Sequence, residues 1–365
     1  MNFKKSLFTI LLLVFFVNLS AQQKQNLKKY YKNVFIAEKL LLDKNYLKAA
    51  KHYEIAFKNK DWAFQCDLSN ALYCEIMSKS PAKNNTQKYT KQLKKIGISS
   101  EKRYNKLQNY DESLFFLDYI PVSYNDSVKE ILAKMKELDQ KHRHNINIDS
   151  IEQILNIRIS DSLNIIEFKK IIEKINIFDE RIVRFGDYDV FFNHWSQSFP
   201  DEYNKIALKA LNAVKTGTLD ARNYAKNVAD IIQVRANFTN NFTQYGTNFF
   251  IILYEKDSDN SNWQNLKANN FFAFSKFDKK NKEHKKWLKQ TDKKRKKIFL
   301  DKTVESSIVY FNLAKLQYAE NFVSTQSVTL ARVPKRIIET EFCKIYSENP
   351  NAIYIFPENN DINCK

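Results

Sequence analysis

The middle of the chain carries side chains whose types suit acid–base chemistry. His194 can serve as a general base near neutral pH, and a carboxylate such as Asp161 or Asp230 can orient its imidazole ring. These three residues are therefore the candidate catalytic residues. The alternative for His194, which stands beside Trp195, is a core histidine whose ring nitrogens are satisfied by hydrogen bonds.

Four further residues are candidates for binding a ligand. Arg143 and the side-chain amide of Gln244 can hold an anionic or carbonyl group. Tyr245 and Thr247 flank Gly246 in a turn-like segment that offers backbone N–H groups and a hydroxyl. Together these residues suggest a polar pocket that binds a small ligand and carries out hydrolytic chemistry.

Each of these candidates also has a structural interpretation. Asp139 and Arg143 are four residues apart, which suits an ion pair on a helix surface worth a few tenths of a kcal/mol. The segment 245–247 can be an ordinary turn. One histidine among scattered acids does not make a metal site, so we expect neither a metal nor another cofactor.

Several short motifs of the central region follow one another in an order that resembles a known family. They are Asp139-Gln140 with Arg143, Asp161 with Asn164, the His194 segment, Pro200-Asp201, Asn223-Tyr224-Ala225, Asp230, Gln244-Tyr245-Gly246-Thr247 and the basic run at 292–298. The family is an uncharacterised bacterial one, catalogued only as a domain of unknown function, and the likeness spans about 127–300. In exported proteins this domain often follows tetratricopeptide-like helices. The resemblance implies no known reaction.

The N-terminal region has the spacing of paired antiparallel helices. Its small and aromatic residues recur at helical steps: Tyr46, Ala49, Tyr53 and Ala56. This spacing resembles the tetratricopeptide repeat, with Lys44 in place of the usual glycine. We expect about two to three such repeats in 24–125, since each needs a neighbour to bury its apolar face. The alternative is an ordinary helical hairpin.

Repeats of paired helices form surfaces that hold extended peptides. A protein- or peptide-binding helical module is therefore the leading functional hypothesis. The alternative is an envelope enzyme, or a small-ligand binder, that uses the polar residues of the central region.

The first residues resemble a secretory signal peptide. Lys4 and Lys5 precede an apolar run from Leu7 to Leu19, and Ala21 supplies a small residue at its end. The run is shorter than the roughly 20 residues that a membrane span needs. We expect an exported protein, periplasmic or secreted, without a transmembrane span after cleavage. The alternative is an uncleaved N-terminal anchor.

The formal net charge of +18 is concentrated in one segment. Lys276–Lys302 holds 13 Lys and Arg residues against four acids. Such a density attracts phosphate groups or anionic lipid headgroups, although a solvated helix face is the alternative. Nucleic acid is an unlikely partner, because recognised binding motifs are missing and the protein is expected outside the cytoplasm.

Composition and periodicity predict a mostly α fold, since only 4 Gly and 6 Pro occur in 365 residues. The predicted division is a signal peptide at 1–21, tetratricopeptide-like helices at 24–125, a helical domain at 127–305 and a C-terminal extension at 306–365. Within the extension, three β-branched or aromatic runs predict short strands: Ser307–Phe311, Ser327–Val333 and Ala352–Phe356.

The four cysteines suit an oxidising compartment. Cys66 and Cys74 would lie roughly 12 Å apart on one helix, which is too far for a disulfide. Cys343 and Cys364 can form a disulfide that holds the C-terminal tail, or Cys343 can be a buried thiol.

Overall fold

The computed structural model describes residues 26–78, 81–99, 104–105, 107, 125–143, 150–229, 250–253, 271–278, 280–320, 329–332 and 352–355. Helices dominate these ranges, so the mostly α fold predicted from composition is confirmed. No helix among these residues is both long and apolar enough to cross a bilayer. Asp230, Gln244, Tyr245, Thr247 and the Cys343–Cys364 pair lie outside the described residues.

The described residues of the N-terminal part include four helices: α1 spans 26–42, α2 Tyr46–Phe57, α3 Gln65–Met77 and α4 Lys83–Lys95. Successive helices pack side by side, and the predicted small residues Ala49 and Ala56 are buried between them. Lys44 adopts a φ of 56° in the turn before α2, the left-handed conformation that glycine reaches without strain. The helical pairs are therefore present, and the repeat family remains a prediction.

The central part follows with α5 at Asp126–Lys141, α6 at Ile151–Lys174, α7 at Asp189–Ser198 and α8 at Pro200–Thr216. The short helix α9 at Ala221–Tyr224 continues into a π-helix at Ala225–Ala229. Local signals set the ends of these helices. Asn125 and Ser150 cap α5 and α6 with their side chains. Gly217, at a φ of 77°, ends α8.

In the C-terminal part, the described residues form α10 at Lys282–Lys297 and α11 at Thr303–Glu320. They also form four strands: β1 Phe250–Leu253, β2 Phe271–Asp278, β3 Thr329–Arg332 and β4 Ala352–Ile355. The sheet has the order β3-β1-β2-β4, with β1 parallel to β3 and the other pairs antiparallel. Strands β3 and β4 lie within two of the predicted runs, 327–333 and 352–356.

The strand predicted at Ser307–Phe311 is wrong, because these residues lie inside α11. Asp292 accepts hydrogen bonds from the backbone N–H and the hydroxyl of Thr303, at 2.8 and 2.7 Å, and so caps the start of the helix. Val309, Tyr310 and Phe311 are buried. Packing of this helical face outweighs the β propensity of the run.

A buried arginine joins the N-terminal helices to the central part. The Arg222 guanidinium donates to Glu38 of α1 at 3.0 Å, to both carboxylate oxygens of Asp67 of α3 at 2.7 Å, and to Asp220 at 2.6 Å. All four side chains are at most 3% exposed. The N-terminal and central helices therefore share a buried ionic contact.

Two tyrosines of α1 extend this network. The Tyr30 hydroxyl donates to Asp67 at 2.6 Å, and the Tyr31 hydroxyl accepts from the backbone N–H of Ala221 at 2.9 Å. The carboxyl groups of Glu38, Asp67 and Asp220 thus each bond to Arg222, and hydrogen bonding of this kind lowers the cost of burying charge.

The network holds three carboxyl groups against one guanidinium, so one carboxyl is favoured in its neutral form. Burial raises the pKa of Glu38 to about 8, although Arg222 pulls it down. Its Oε2 atom is buried and has no hydrogen-bond partner. Burial and the unpaired oxygen thus both favour the neutral form of Glu38 at neutral pH.

This protonation predicts a pH dependence of stability. A carboxyl whose folded pKa is raised stabilises the fold most at low pH, and this contribution is lost as pH rises from about 4.5 through about 8, with a slope of up to about 1.4 kcal/mol per pH unit. Glu38→Gln mimics the neutral acid, so we expect it to remove that part of the slope in urea unfolding between pH 5 and about pH 8. Glu130→Gln, at an exposed position of α5, is the matched control. Equal slopes for the parent and Glu38→Gln would show that Glu38 is ionised.

Candidate functional site

Three helices bring four polar side chains together in the central part. Asp139 lies on the last turn of α5, Arg143 follows just after that helix, Asp161 lies in the middle of α6, and His194 lies on α7. The two aspartates occupy positions of buried helix faces: Asp139 follows Met135 by one turn, and Asp161 precedes Phe168 by two. Helix packing alone therefore turns both carboxylates inward.

His194 and Asp139 form a hydrogen-bonded dyad. The His194 Nδ1 atom lies 2.7 Å from Asp139 Oδ1, with the side chains 8% and 0% exposed. A carboxylate oxygen can only accept, so this bond requires a proton on Nδ1, and in the neutral ring the lone pair then lies on Nε2. The Gln140 amide donates to the second oxygen of Asp139 and holds the carboxylate in place.

Arg143 lies between the two carboxylates. Its Nη2 donates to Asp161 Oδ1, and its Nε is 3.6 Å from Asp139 Oδ1 without a hydrogen bond of its own. The guanidinium is 16% exposed, so the cation reaches the edge of the cluster. The Ser198 hydroxyl, 3.5 Å from Asp161 Oδ2, adds a polar group at the exposed end of α7.

An aromatic layer fixes the helix that carries His194. Trp195 stacks on Phe191 with ring centres 5.2 Å apart and also contacts Phe168 of α6 at 5.1 Å. Asn164 donates to the backbone oxygen of Met135 at 2.9 Å and so ties α6 to α5. These contacts make the cluster a preorganised arrangement rather than a surface one.

The structure brings three of the proposed site residues together: His194, Asp161 and Arg143. The carboxylate that contacts His194 is Asp139 rather than Asp161, which accepts from Arg143 instead. Asp230 lies outside the described residues. Asp139 and Arg143 are an inward-facing pair rather than the surface pair of the alternative interpretation. The signal that identifies Asp139 is its register with Leu132 and Met135 on the buried face of α5.

The same groups include possible metal ligands. One ligand atom each from Asp139, Asp161 and His194 lie within 4.8 Å of one another. An imidazole with two carboxylates suits a divalent transition metal. However, Arg143 already neutralises Asp161, so an ion at this point would have to displace the guanidinium or lie beside it.

A polar cleft lies between residues 58–66, which connect α2 to the first turn of α3, and the central part. It comprises two cavities, of about 300 and 270 Å³, that share Trp62 and Glu180 in their linings. Burial lowers the pKa of Lys60 in the first cavity and of Lys226 in the second to about 8. Burial raises the pKa of Glu180 to about 7. Both lysines can pair with an anionic group.

The basic run at Lys276–Lys302 includes α10. Its lysines are mostly exposed, while Arg295 is buried and donates to the backbone oxygen of Asp301 and to the hydroxyl of Ser306. The run is therefore partly a solvated helix face and partly structural. An anionic surface as its partner remains a prediction.

Comparison of the chain with protein-family models, with curated proteins and with solved structures gives no match. The cluster must therefore be interpreted from its own geometry.

The dyad predicts which tautomer His194 adopts. In the neutral ring the proton should be on Nδ1, as measured by ¹⁵N chemical shifts assigned with a His194→Gln variant. Asp139→Asn should keep this tautomer because the amide oxygen still accepts, whereas Asp139→Ala should release the ring to the usual Nε2–H form. Asp126→Ala, at an exposed site of the same helix, is the control. A proton on Nε2 in the parent protein would contradict the geometry.

Proposed function

We propose that the cluster formed by Asp139, Arg143, Asp161 and His194 is the acid–base site of a small-ligand-binding hydrolase that works outside the cytoplasm. The observation that carries this proposal is the 2.7 Å bond between His194 Nδ1 and Asp139 Oδ1, whose side chains are 8% and 0% exposed. The export is proposed from the signal-like segment at 1–21.

The chemistry follows from the roles of each group. His194 Nε2 takes a proton from water or from a substrate hydroxyl, and the Asp139 carboxylate stabilises the imidazolium that forms. Arg143 places a cation beside the dyad, where it can bind a carboxylate, phosphate or polarised carbonyl group of the substrate. Asp161 holds that guanidinium in position.

A peptide-binding module is the second candidate, and the polar cleft favours it. The surface that α1 and α3 share is occupied by Arg222, so that surface has less room for a peptide than an isolated helical repeat would offer. The cleft combines the partly exposed ring of Trp62 with the ammonium groups of Lys60 and Lys226. A short peptide with a carboxylate group suits this lining.

The hydrolase proposal predicts which variants lose activity. Chromogenic carboxylic esters, phosphoesters and amides are the panel, and His194→Gln should lower the rate on any cleaved substrate by about 100-fold or more. Asp139→Asn should also lower kcat, since the imidazolium loses its countercharge. Arg158→Gln, on the exposed side of α6, should leave the rate unchanged.

Equal rates for the parent and for His194→Gln would contradict the proposal. A second result would also contradict it: the parent cleaves no substrate of the panel, and small carboxylates and phosphates raise the melting temperatures of the parent and of His194→Gln equally.

A further inference from the structure

Helix α6 exposes a stripe of large aliphatic side chains. Its members are between 37% and 83% exposed: Ile151, Ile154, Leu155, Ile159, Leu163 and Ile166. Single exposed aliphatic residues are normal on a protein surface, but contiguous apolar patches mark interaction sites. We refer to these six residues as the α6 stripe.

The α6 stripe lies opposite the buried face of its helix. Ile159 and Leu163 each stand two positions from Asp161, which is buried, and Ile166 stands two positions from buried Asn164. Two positions correspond to about 200° around an α-helix. The buried side also carries Ile165, Phe168 and Ile171. Large apolar side chains therefore occur on both sides of the helix, a pattern typical of a helix covered on both sides.

We propose that a second copy of this chain covers the α6 stripe, so that two α6 helices pack antiparallel around a two-fold axis. A self-complementary apolar surface suits such a symmetric interface. The proposal concerns an assembly surface and does not depend on the proposed hydrolase activity.

The exposed charges next to the α6 stripe favour the antiparallel direction. A two-fold axis at position 161 stacks Ile159 on the partner's Leu163 and Leu163 on the partner's Ile159. The same register places Glu152 beside the partner's Lys170, twice by symmetry. Both charges are exposed and lie on the same side of the stripe. Opposite charges at such positions set partner and orientation more than affinity.

The extent of the α6 stripe also suits a dimer. Its members span about 22 Å of the helix axis, from Ile151 to Ile166, at 1.5 Å per residue. A standard interface needs about 800 Å² from each partner, with an apolar centre and a polar rim. The stripe supplies the apolar centre, and Glu152, Arg158 and Lys170 supply charged residues for the rim.

Dimerisation through the α6 stripe leaves the candidate site accessible. Asp161 lies on the opposite side of α6, where it contacts Arg143. The two copies would therefore carry two independent sites that face away from the interface.

The first test is sedimentation equilibrium of the purified full chain over a range of concentrations. The parent should associate reversibly to a dimer, and the double variant Ile159→Glu, Leu163→Glu should weaken the dimer at least tenfold while its circular dichroism is unchanged. Leu208→Glu replaces an aliphatic residue of α8 that is 63% exposed and lies outside the stripe, so it is the matched control. A parent that stays monomeric at all concentrations, or a dimer unaffected by the double variant, would overturn the proposal.

The second test uses the charges. Glu152 and Lys170 lie about 27 Å apart along one helix, so they can interact only between two copies. Glu152→Lys and Lys170→Glu should each weaken the dimer, and the combined reversal should restore it. Strictly additive losses in the combined variant would overturn the antiparallel arrangement.

Discussion

The arrangement of this protein depends on one buried guanidinium. Arg222 collects carboxyl groups from α1, from α3 and from the start of α9, and these partners lie 184, 155 and 2 positions away in sequence. Removing one partner of such a buried network costs about 3–5 kcal/mol, because the remaining charges lose their compensation. The contact therefore determines how the N-terminal helices are oriented against the central ones.

Hydrogen bonds on both sides of the turn before α7 connect the Arg222 contact to the helix that carries Asp139. Glu180 accepts from the backbone N–H of Asp220 and from the amide of Asn223, both at 3.1 Å, and so joins the turn before α7 to the arginine network. The backbone oxygen of Ile182 in that turn accepts from the N–H of Asn125, which caps α5. Helix α5 carries Asp139, so the position of the dyad is linked to the ionic centre.

The helices and part of the candidate site could be predicted from sequence wherever the signals are local. Helix periodicity, Pro200 and Gly217 fix α8, and the types of His194, Asp161 and Arg143 identify three members of the cluster. The hydrogen-bond partner of His194 was harder to predict, because the spacing of Asp139 and Arg143 also suits an ion pair on a helix surface. Only the packing of α5 against α7 decides that its carboxylate faces inward. The Arg222 network joins residues too distant in sequence for spacing to reveal, and the run at 307–311 shows burial outweighing local β propensity.

Native-state hydrogen exchange at low denaturant tests the central role of Arg222 most directly. If the buried ionic contact makes the N-terminal and central helices one cooperative unit, the slowest amides of α3 and of α8 should exchange through openings of the same free energy and the same denaturant dependence. An α3 that opens at a clearly lower free energy, while α8 remains protected, would contradict the account.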